Sequence, residues 1–138
     1  GGEAMSEGLR TYFQSKGIRQ VISSYGASDL ELNIASENDF TISLRKFLIE
    51  NEALRKELLV EKQVIPMVFL FNPADFYIES NTSNELLISI CRPGYVAPKI
   101  RYNIKDKGQV MKYSQFLKFL EGKGINKNAL APAPSDLP

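Results

Sequence analysis

The chain contains no histidine and a single cysteine, and these shortages exclude several kinds of chemistry. Without histidine, the chain cannot supply a His-based catalytic triad, a histidine proton shuttle or a His-ligated zinc site. One cysteine, Cys91, cannot form an internal disulfide, and the low number of cysteines fits a protein of a reducing compartment. We therefore expect a cytoplasmic location.

The chain also lacks a large net charge and a long apolar run. Its 17 basic and 16 acidic side chains give a net charge of +1, so no strong field favours nucleic acid or an anionic membrane. The longest apolar stretch, residues 64–71, contains Pro66 and is far shorter than the ~20 residues of a membrane helix. We interpret it as a buried strand.

What is present is the composition of one globular domain. The 138 residues are 43% hydrophobic and 24% charged. The first residue is Gly1 rather than methionine, and residues 131–138 are rich in alanine and proline, as in a linker. We expect a piece of a longer protein, with a partial domain over residues 1–122 and a linker-like tail over residues 123–138.

The first third of the chain has an α/β pattern. Ser6 is a suitable N-cap for a helix over residues 7–16, which Gly17 would end. The next residues, 18–24, predict a strand that leads into a polar loop. An apolar face of the helix would pack on a sheet, and its members are Leu9, Tyr12 and Phe13.

A helical period follows over residues 40–60, with Asn38 or Asp39 as its cap. This long helix either packs on its own domain or binds a partner protein. The next region predicts a small, mainly antiparallel sheet or part of a barrel, followed by a short helix over residues 113–120. The predicted strands are residues 67–71, 76–79, 85–91 and 99–104, with a possible fifth at 109–112.

Three polar clusters are candidates for a binding site. A glycine pair stands before a helix at residues 1–3, which is either an ordinary turn or a close approach to a ligand. Residues 25–29, Tyr-Gly-Ala-Ser-Asp, are either a capped turn or a site with an aromatic face, a hydroxyl donor and a carboxylate for Mg²⁺.

The third cluster is residues 101–108, where Asp106 precedes a glycine turn. It is either a hairpin with a turn aspartate or a carboxylate that accepts two hydrogen bonds from a diol such as ribose. The sequence has neither a Walker phosphate loop nor a dinucleotide glycine motif, so a nucleotide site must depend on the three clusters together.

Taken in order, these clusters resemble the adenylate-forming acyl-CoA synthetases, and among them the phenylacetate-CoA ligase-like branch. That family has a Gly-Gly-Glu type loop, then Tyr-Gly-x-Thr-Glu, then Arg-Tyr-Arg-Thr-Gly-Asp. The likeness covers residues 1–31 and 85–108. It implies the later part of the large N-terminal domain of an enzyme that activates a carboxylic acid with ATP, releases pyrophosphate and passes the acyl group to coenzyme A.

The resemblance also implies roles for single residues. Asp106 would hold the ribose hydroxyls, and Asp29, with Glu31 as the alternative, would bind Mg²⁺. Gly26 would belong to the nucleotide site, near the acyl group. The other nucleotide residues would be Gly2, Glu3 and Ala4 along the adenine, Tyr25 stacked on it, and Ser28 near the α-phosphate, with Ser24 and Ala27 in the acyl pocket.

Two departures from the family pattern bear on geometry. Asp29 is one methylene shorter than the family's glutamate, and residues 103–105 replace Arg-Thr-Gly, so a glycine is lost from a tight loop. These changes favour the alternative hypothesis of a non-catalytic nucleotide- or protein-binding module. The family's phosphate loop and its C-terminal domain with the catalytic lysine would belong to the rest of the protein, so we expect no ATP–pyrophosphate exchange from this chain alone.

Overall fold

The computed structural model describes residues 5–28, 30–59, 65–94 and 99–138. Within these ranges it contains four α-helices and two antiparallel sheets of three strands each, which confirms the predicted mixture of helices and strands. The helices are α1 (Glu7–Ser15), α2 (Asp39–Glu50), α3 (Glu52–Leu58) and α4 (Tyr113–Gly122), with a 3-10 turn at Lys127–Ala129. The strands are β1 (Ser24–Ala27), β2 (Glu31–Ser36), β3 (Leu70–Phe71), β4 (Phe76–Ser80), β5 (Glu85–Ile90) and β6 (Tyr102–Lys107).

Helix α1 begins where predicted, but the prediction of which face it buries was wrong. The Ser6 hydroxyl accepts a hydrogen bond from the Leu9 amide at 3.1 Å, as an N-cap does. The face predicted to pack on a sheet is instead exposed, with Leu9 at 45%, Tyr12 at 56% and Phe13 at 36%. The buried residue is Arg10, because its guanidinium meets a buried carboxylate on the inner side of the helix.

The first strand lies later in the chain than predicted. Residues 18–23 contain no strand, and pairing begins at Ser24, so Tyr25 and Gly26 belong to a strand rather than to a loop. The partner is β2, which the sequence analysis did not predict. The amide of Leu30 donates to the carbonyl of Ala27 at 3.0 Å and closes the turn between the two strands. Strand β3 extends this sheet, in the order β1–β2–β3.

The predicted long helix over residues 40–60 is two helices that meet at Asn51. The side-chain amide of Asn51 donates to the Phe47 carbonyl at 2.8 Å and so terminates α2. At the other end the cap of α2 is Asn38, whose side chain accepts from the Thr41 amide at 2.9 Å. The apolar residues of both helices pack on their own domain, as one of the two interpretations expected.

The second sheet has the strand order β4–β5–β6 and is antiparallel throughout. Two predicted strands are shorter or absent: only Leu70–Phe71 of residues 67–71 forms a strand, and residues 109–112 form none. The predicted strand at 99–104 begins only at Tyr102, because Arg101 has a φ of +48° and interrupts the extended backbone.

The structure has two apolar cores. The sheet core combines residues of both sheets and consists of Leu30, Ile34, Phe76, Ile88 and Ile90. The helical core consists of Phe40, Leu44, Leu48, Leu54, Phe116, Leu120 and Leu130. Leu130 belongs to the segment over residues 123–138, and the Ala131 amide donates to the Ser43 hydroxyl at 3.0 Å. The segment that is linker-like in sequence therefore packs on the helices.

Candidate functional site

The structure brings together two residues that the sequence analysis assigned to a nucleotide site. The hydroxyl of Tyr25 on β1 donates a hydrogen bond to Oδ2 of Asp106 on β6 at 2.8 Å, although 81 residues separate them. Both residues are half-buried. The contact joins the first sheet to the second, and it is the centre of the candidate site.

Strand β1 and the residues before β3 fix the ring of Tyr25. Tyr25 pairs with Ala35 on β2, and its side chain packs against the sheet core. The ring of Phe69 lies 5.8 Å from it, centroid to centroid, with 32° between the planes. Because Phe69 supports the ring and Asp106 binds its hydroxyl, the orientation of the ring is set before any ligand arrives.

A bulge in β6 presents Asp106. Leu87 pairs with Asn103 and Glu85 pairs with Lys107. Between these two pairs the chain advances four residues along β6 but only two along β5. Lys105 lies within this bulge with a φ of +65°, and its amide donates to the Asn103 side chain at 2.7 Å. Such irregularities change the direction of a strand and re-aim its side chains. Lys105 also stands where the family motif in the resemblance has glycine.

Replacing Lys105 with glycine should stabilise the chain. A left-handed backbone costs a residue with a side chain about 1–2 kcal/mol, and the extra chain entropy of glycine offsets about 0.5–1 kcal/mol of the gain. We expect Lys105→Gly to raise the free energy of unfolding in urea by about 0.5–1 kcal/mol. Lys107→Gly, in the same strand without a positive φ, should lower it instead. A loss of stability in Lys105→Gly would contradict the strained bulge.

The electrostatics keep Tyr25 protonated. Burial raises the pKa of its hydroxyl, and the hydrogen bond to Asp106 and the charge of that carboxylate raise it further. Oδ1 of Asp106 accepts no hydrogen bond from the described residues, and Oδ2 keeps a second lone pair. The pair therefore offers a fixed aromatic ring beside a carboxylate that can accept hydrogen bonds from a diol.

The other predicted site residues divide into three groups. Gly26 and Ala27 are half-buried on β1 beside Tyr25, and Ser24 is exposed at the start of that strand. Ser28 is exposed in the turn that follows β1. The remaining four lie outside the described residues, and they are Gly2, Glu3, Ala4 and Asp29.

Glu31, the alternative metal ligand, is already paired. An oxygen of its carboxylate lies 3.5 Å from Nη1 of Arg92, and Nε of the same arginine lies 3.8 Å from Asp75. In the part of the chain that the structure describes, no group of three acidic, histidine or cysteine side chains is close enough together to hold a metal ion. Glu31 therefore lies beside a cation, and its assignment as a metal ligand, like that of Asp29, stays a prediction.

Two features near the site were not predictable from the sequence. Phe69 was visible only as one member of an apolar run, and nothing local indicated that its ring would support Tyr25. The second feature is a buried cluster of arginines and glutamates below the start of β1, with Arg10 at its centre. The spacing of Glu7 and Arg10, three residues apart on a helix, was the one local signal for it.

Two concave regions among the described residues lie away from this site. One, of about 250 Å³, lies between α1 and α2, and its lining includes Gln14, Arg19 and Lys46. The other, of about 550 Å³, lies between the start of α4 and the C-terminal segment. Neither is lined by Tyr25 or Asp106. The case for a nucleotide site therefore depends on the side-chain pair and not on a cavity.

Comparisons with models of protein families, with curated proteins and with solved structures found no match. Among the helices described here, none is both long and apolar enough to cross a membrane.

Proposed function

We propose that the chain is the adenylate-binding portion of an ATP-dependent ligase that joins a carboxylic acid to a thiol. The observation that supports this most strongly is the 2.8 Å hydrogen bond between Tyr25 and Asp106. The order of the sequence motifs assigns these two residues to the base and to the ribose of one nucleotide. Residues with those two roles must lie within a few ångströms of each other, and these do.

In the proposed site, each described residue has a limited task. The ring of Tyr25 stacks on the adenine, and the carboxylate of Asp106 accepts hydrogen bonds from the two ribose hydroxyls. Ser28 is exposed beyond the end of β1, where its hydroxyl is free to donate to a phosphate oxygen. These contacts orient the α-phosphate for attack by the substrate carboxylate, and orientation is a large part of the catalysis of such a transfer.

The resemblance adds Mg²⁺, a carboxylic acid and a thiol such as coenzyme A to this proposal. Mg²⁺ bound with ATP supplies positive charge against the charge that develops at the α-phosphate. The resemblance proposes Asp29 as its ligand, with Glu31 as the alternative. Ser24 and Ala27, next to Tyr25 on β1, are the residues of the described region proposed for the acyl group.

A titration with two adenine nucleotides tests the proposal. We expect the chain to bind AMP, and to bind 2′,3′-dideoxy-AMP more weakly by about 100-fold or more, because the two hydrogen bonds to a charged group contribute about 1.5–3 kcal/mol each. Isothermal titration calorimetry measures both affinities. Inorganic phosphate at the same concentrations serves as the control and should not bind.

Equal affinity for AMP and its dideoxy analogue would contradict the role of Asp106. The activity itself is tested in the full-length protein, as pyrophosphate release from ATP with a panel of aryl, fatty and hydroxy acids. Release with none of these acids, together with retained AMP binding, would favour the alternative of a non-catalytic nucleotide-binding module.

A further inference from the structure

Three buried charged residues, Arg10, Glu37 and Arg45, and the partly buried Glu7 form a cluster near the start of β1, which we term the Arg–Glu network. Nη2 of Arg10 donates to both carboxylate oxygens of Glu37, at 2.9 and 3.0 Å, and the side chains are 1% and 0% exposed. Glu7 accepts from Nε of Arg10 at 3.0 Å and from Nη1 of Arg45 at 2.9 Å. Negative and positive side chains alternate along the network, and its two glutamates balance its two arginines.

Hydrogen bonds and opposite charges hold the network together. Burial alone would raise the pKa of Glu7, but the hydrogen bonds and charges of Arg10 and Arg45 outweigh it, so the pKa is lowered. Within the described residues, every buried side-chain nitrogen and oxygen atom has a hydrogen-bond partner. Such a network has one favoured geometry, since any displacement leaves a buried charge unpaired.

One side of the network binds the backbone that leads into β1. The guanidinium of Arg10 donates to the carbonyl of Val21, and the Ser23 amide donates to Oε2 of Glu37 at 2.8 Å. The backbone amide of Glu37 donates to the Ser23 carbonyl at 3.0 Å as well. These bonds end two residues before Tyr25, so they fix the point from which the Tyr25 strand starts.

The other side of the network binds the backbone at Met5 and Pro66. Nη1 of Arg45 donates to the carbonyl of Met5 at 2.7 Å, and Met5 follows in sequence the residues assigned to the adenine, Gly2, Glu3 and Ala4. Nε of Arg45 donates to the carbonyl of Pro66 at 3.1 Å, three residues before Phe69, whose ring supports Tyr25. An apolar side chain could fill the same space but could not bond to these carbonyls.

We propose that the Arg–Glu network is a positioning device for nucleotide binding. It holds the backbone at Met5 and Pro66 and the start of the Tyr25 strand at Ser23 in one fixed relation, with Arg45 and Arg10 as its positioning residues. This inference rests on the proposed function. It assigns no contact between the network and the nucleotide: the network acts only through the backbone segments that it binds.

The first test compares two arginines that both bind backbone carbonyls. Arg45→Met removes the bonds to Met5 and Pro66, whereas Arg55→Met removes bonds of 2.9 and 3.2 Å to Leu48 and Ile49, away from the site. We expect Arg45→Met to weaken AMP binding by about tenfold or more, since small misplacements of binding groups have large effects. Arg55→Met should change it by less than about twofold. Calorimetry about 15 °C below the lower of the two melting temperatures keeps both variants folded.

The second test measures the coupling without a nucleotide. If the network is one unit, Arg45→Met should speed hydrogen exchange of the Ser23 amide, which Arg45 does not touch. The rate is compared with that of the Ile90 amide, which donates to Lys99 at 2.9 Å in the other sheet. Arg45→Lys, which keeps a positive charge beside Glu7, should recover part of both the protection and the affinity.

The outcomes separate this proposal from the proposed function. If the wild-type chain binds no AMP, the proposed function fails, and the role of the network in nucleotide binding fails with it. If the wild-type chain binds AMP and Arg45→Met binds it equally well, only the positioning role is overturned. An unchanged Ser23 exchange rate relative to Ile90 in Arg45→Met would overturn the coupling, whatever the nucleotide result.

Discussion

Replacing Arg10 with methionine should lower the free energy of unfolding by about 3–5 kcal/mol, because it leaves a buried carboxylate without its partner. The carboxylate is that of Glu37, whose side chain is 0% exposed. The loss is a large part of the total stability of about 5–15 kcal/mol that small domains have. Urea denaturation followed by circular dichroism measures it, and the midpoint should fall sharply relative to wild type.

Two comparisons show whether the loss comes from the unpaired charge. Arg10→Met combined with Glu37→Gln removes the charge but keeps an oxygen for the Ser23 amide, so it should be more stable than Arg10→Met alone. Arg92→Met, at an arginine whose side chain is 42% exposed, should cost less than about 1 kcal/mol. An Arg10→Met chain within about 1 kcal/mol of wild type would contradict the buried network.

Replacing Asp106 with alanine should weaken AMP binding by about 100-fold, the second large effect. The carboxylate is assigned two hydrogen bonds to the ribose, and a bond to a charged acceptor contributes about 1.5–3 kcal/mol. Every factor of ten in affinity corresponds to about 1.4 kcal/mol, so the loss of both bonds reaches or exceeds this factor. Calorimetry with AMP measures the loss directly.

Matched variants separate the ribose contact from other effects of the substitution. Asp75→Ala removes another partly exposed carboxylate of the second sheet region and should leave AMP affinity unchanged. Tyr25→Phe keeps the ring but loses the bond to Asp106, and it should weaken binding by only about 2–5-fold. An Asp106→Ala chain that binds AMP as tightly as the Asp75→Ala control would contradict the assignment.

The parts of the fold that follow local rules were predictable from the sequence. Ser6 and Asn38 cap α1 and α2 because a short polar side chain before an apolar period satisfies the first free amides of a helix. Strands β4 and β5 were predicted to within about a residue at each end, because short apolar runs with Phe, Tyr and Ile between Asn, Pro and Gly turns are a strong strand signal.

The parts that depend on distant partners were not predictable in the same way. The apolar face of α1 was predicted to be buried, yet Arg10 turns inward because its acceptor, Glu37, lies 27 residues further along the chain. Asn51 divides the long helix through a side-chain bond to Phe47, where the apolar period alone predicts continuity. Strand β1 begins at Ser24 because β2, which carries no strong strand signal, supplies its partner.

The candidate site was predictable only in part. No local rule joins Tyr25 to Asp106 across 81 residues, and only the order of three motifs indicated that they belong to one site. The bulge that aims Asp106 was not foreseen, although the glycine missing at position 105 marked the place. Lys105 adopts the left-handed backbone that a glycine there would favour. Lysine in place of glycine therefore raises the free-energy cost of this backbone conformation but does not prevent it.

The most direct measurement of the central claim is a two-dimensional ¹H–¹⁵N NMR titration of the chain with AMP. The proposed site predicts that the largest shift changes occur at the amides of Tyr25, Gly26 and Asp106. Unchanged amides at these three positions with AMP at saturation would contradict the account, and so would changes confined to the concave region between α1 and α2, at Gln14 and Lys46.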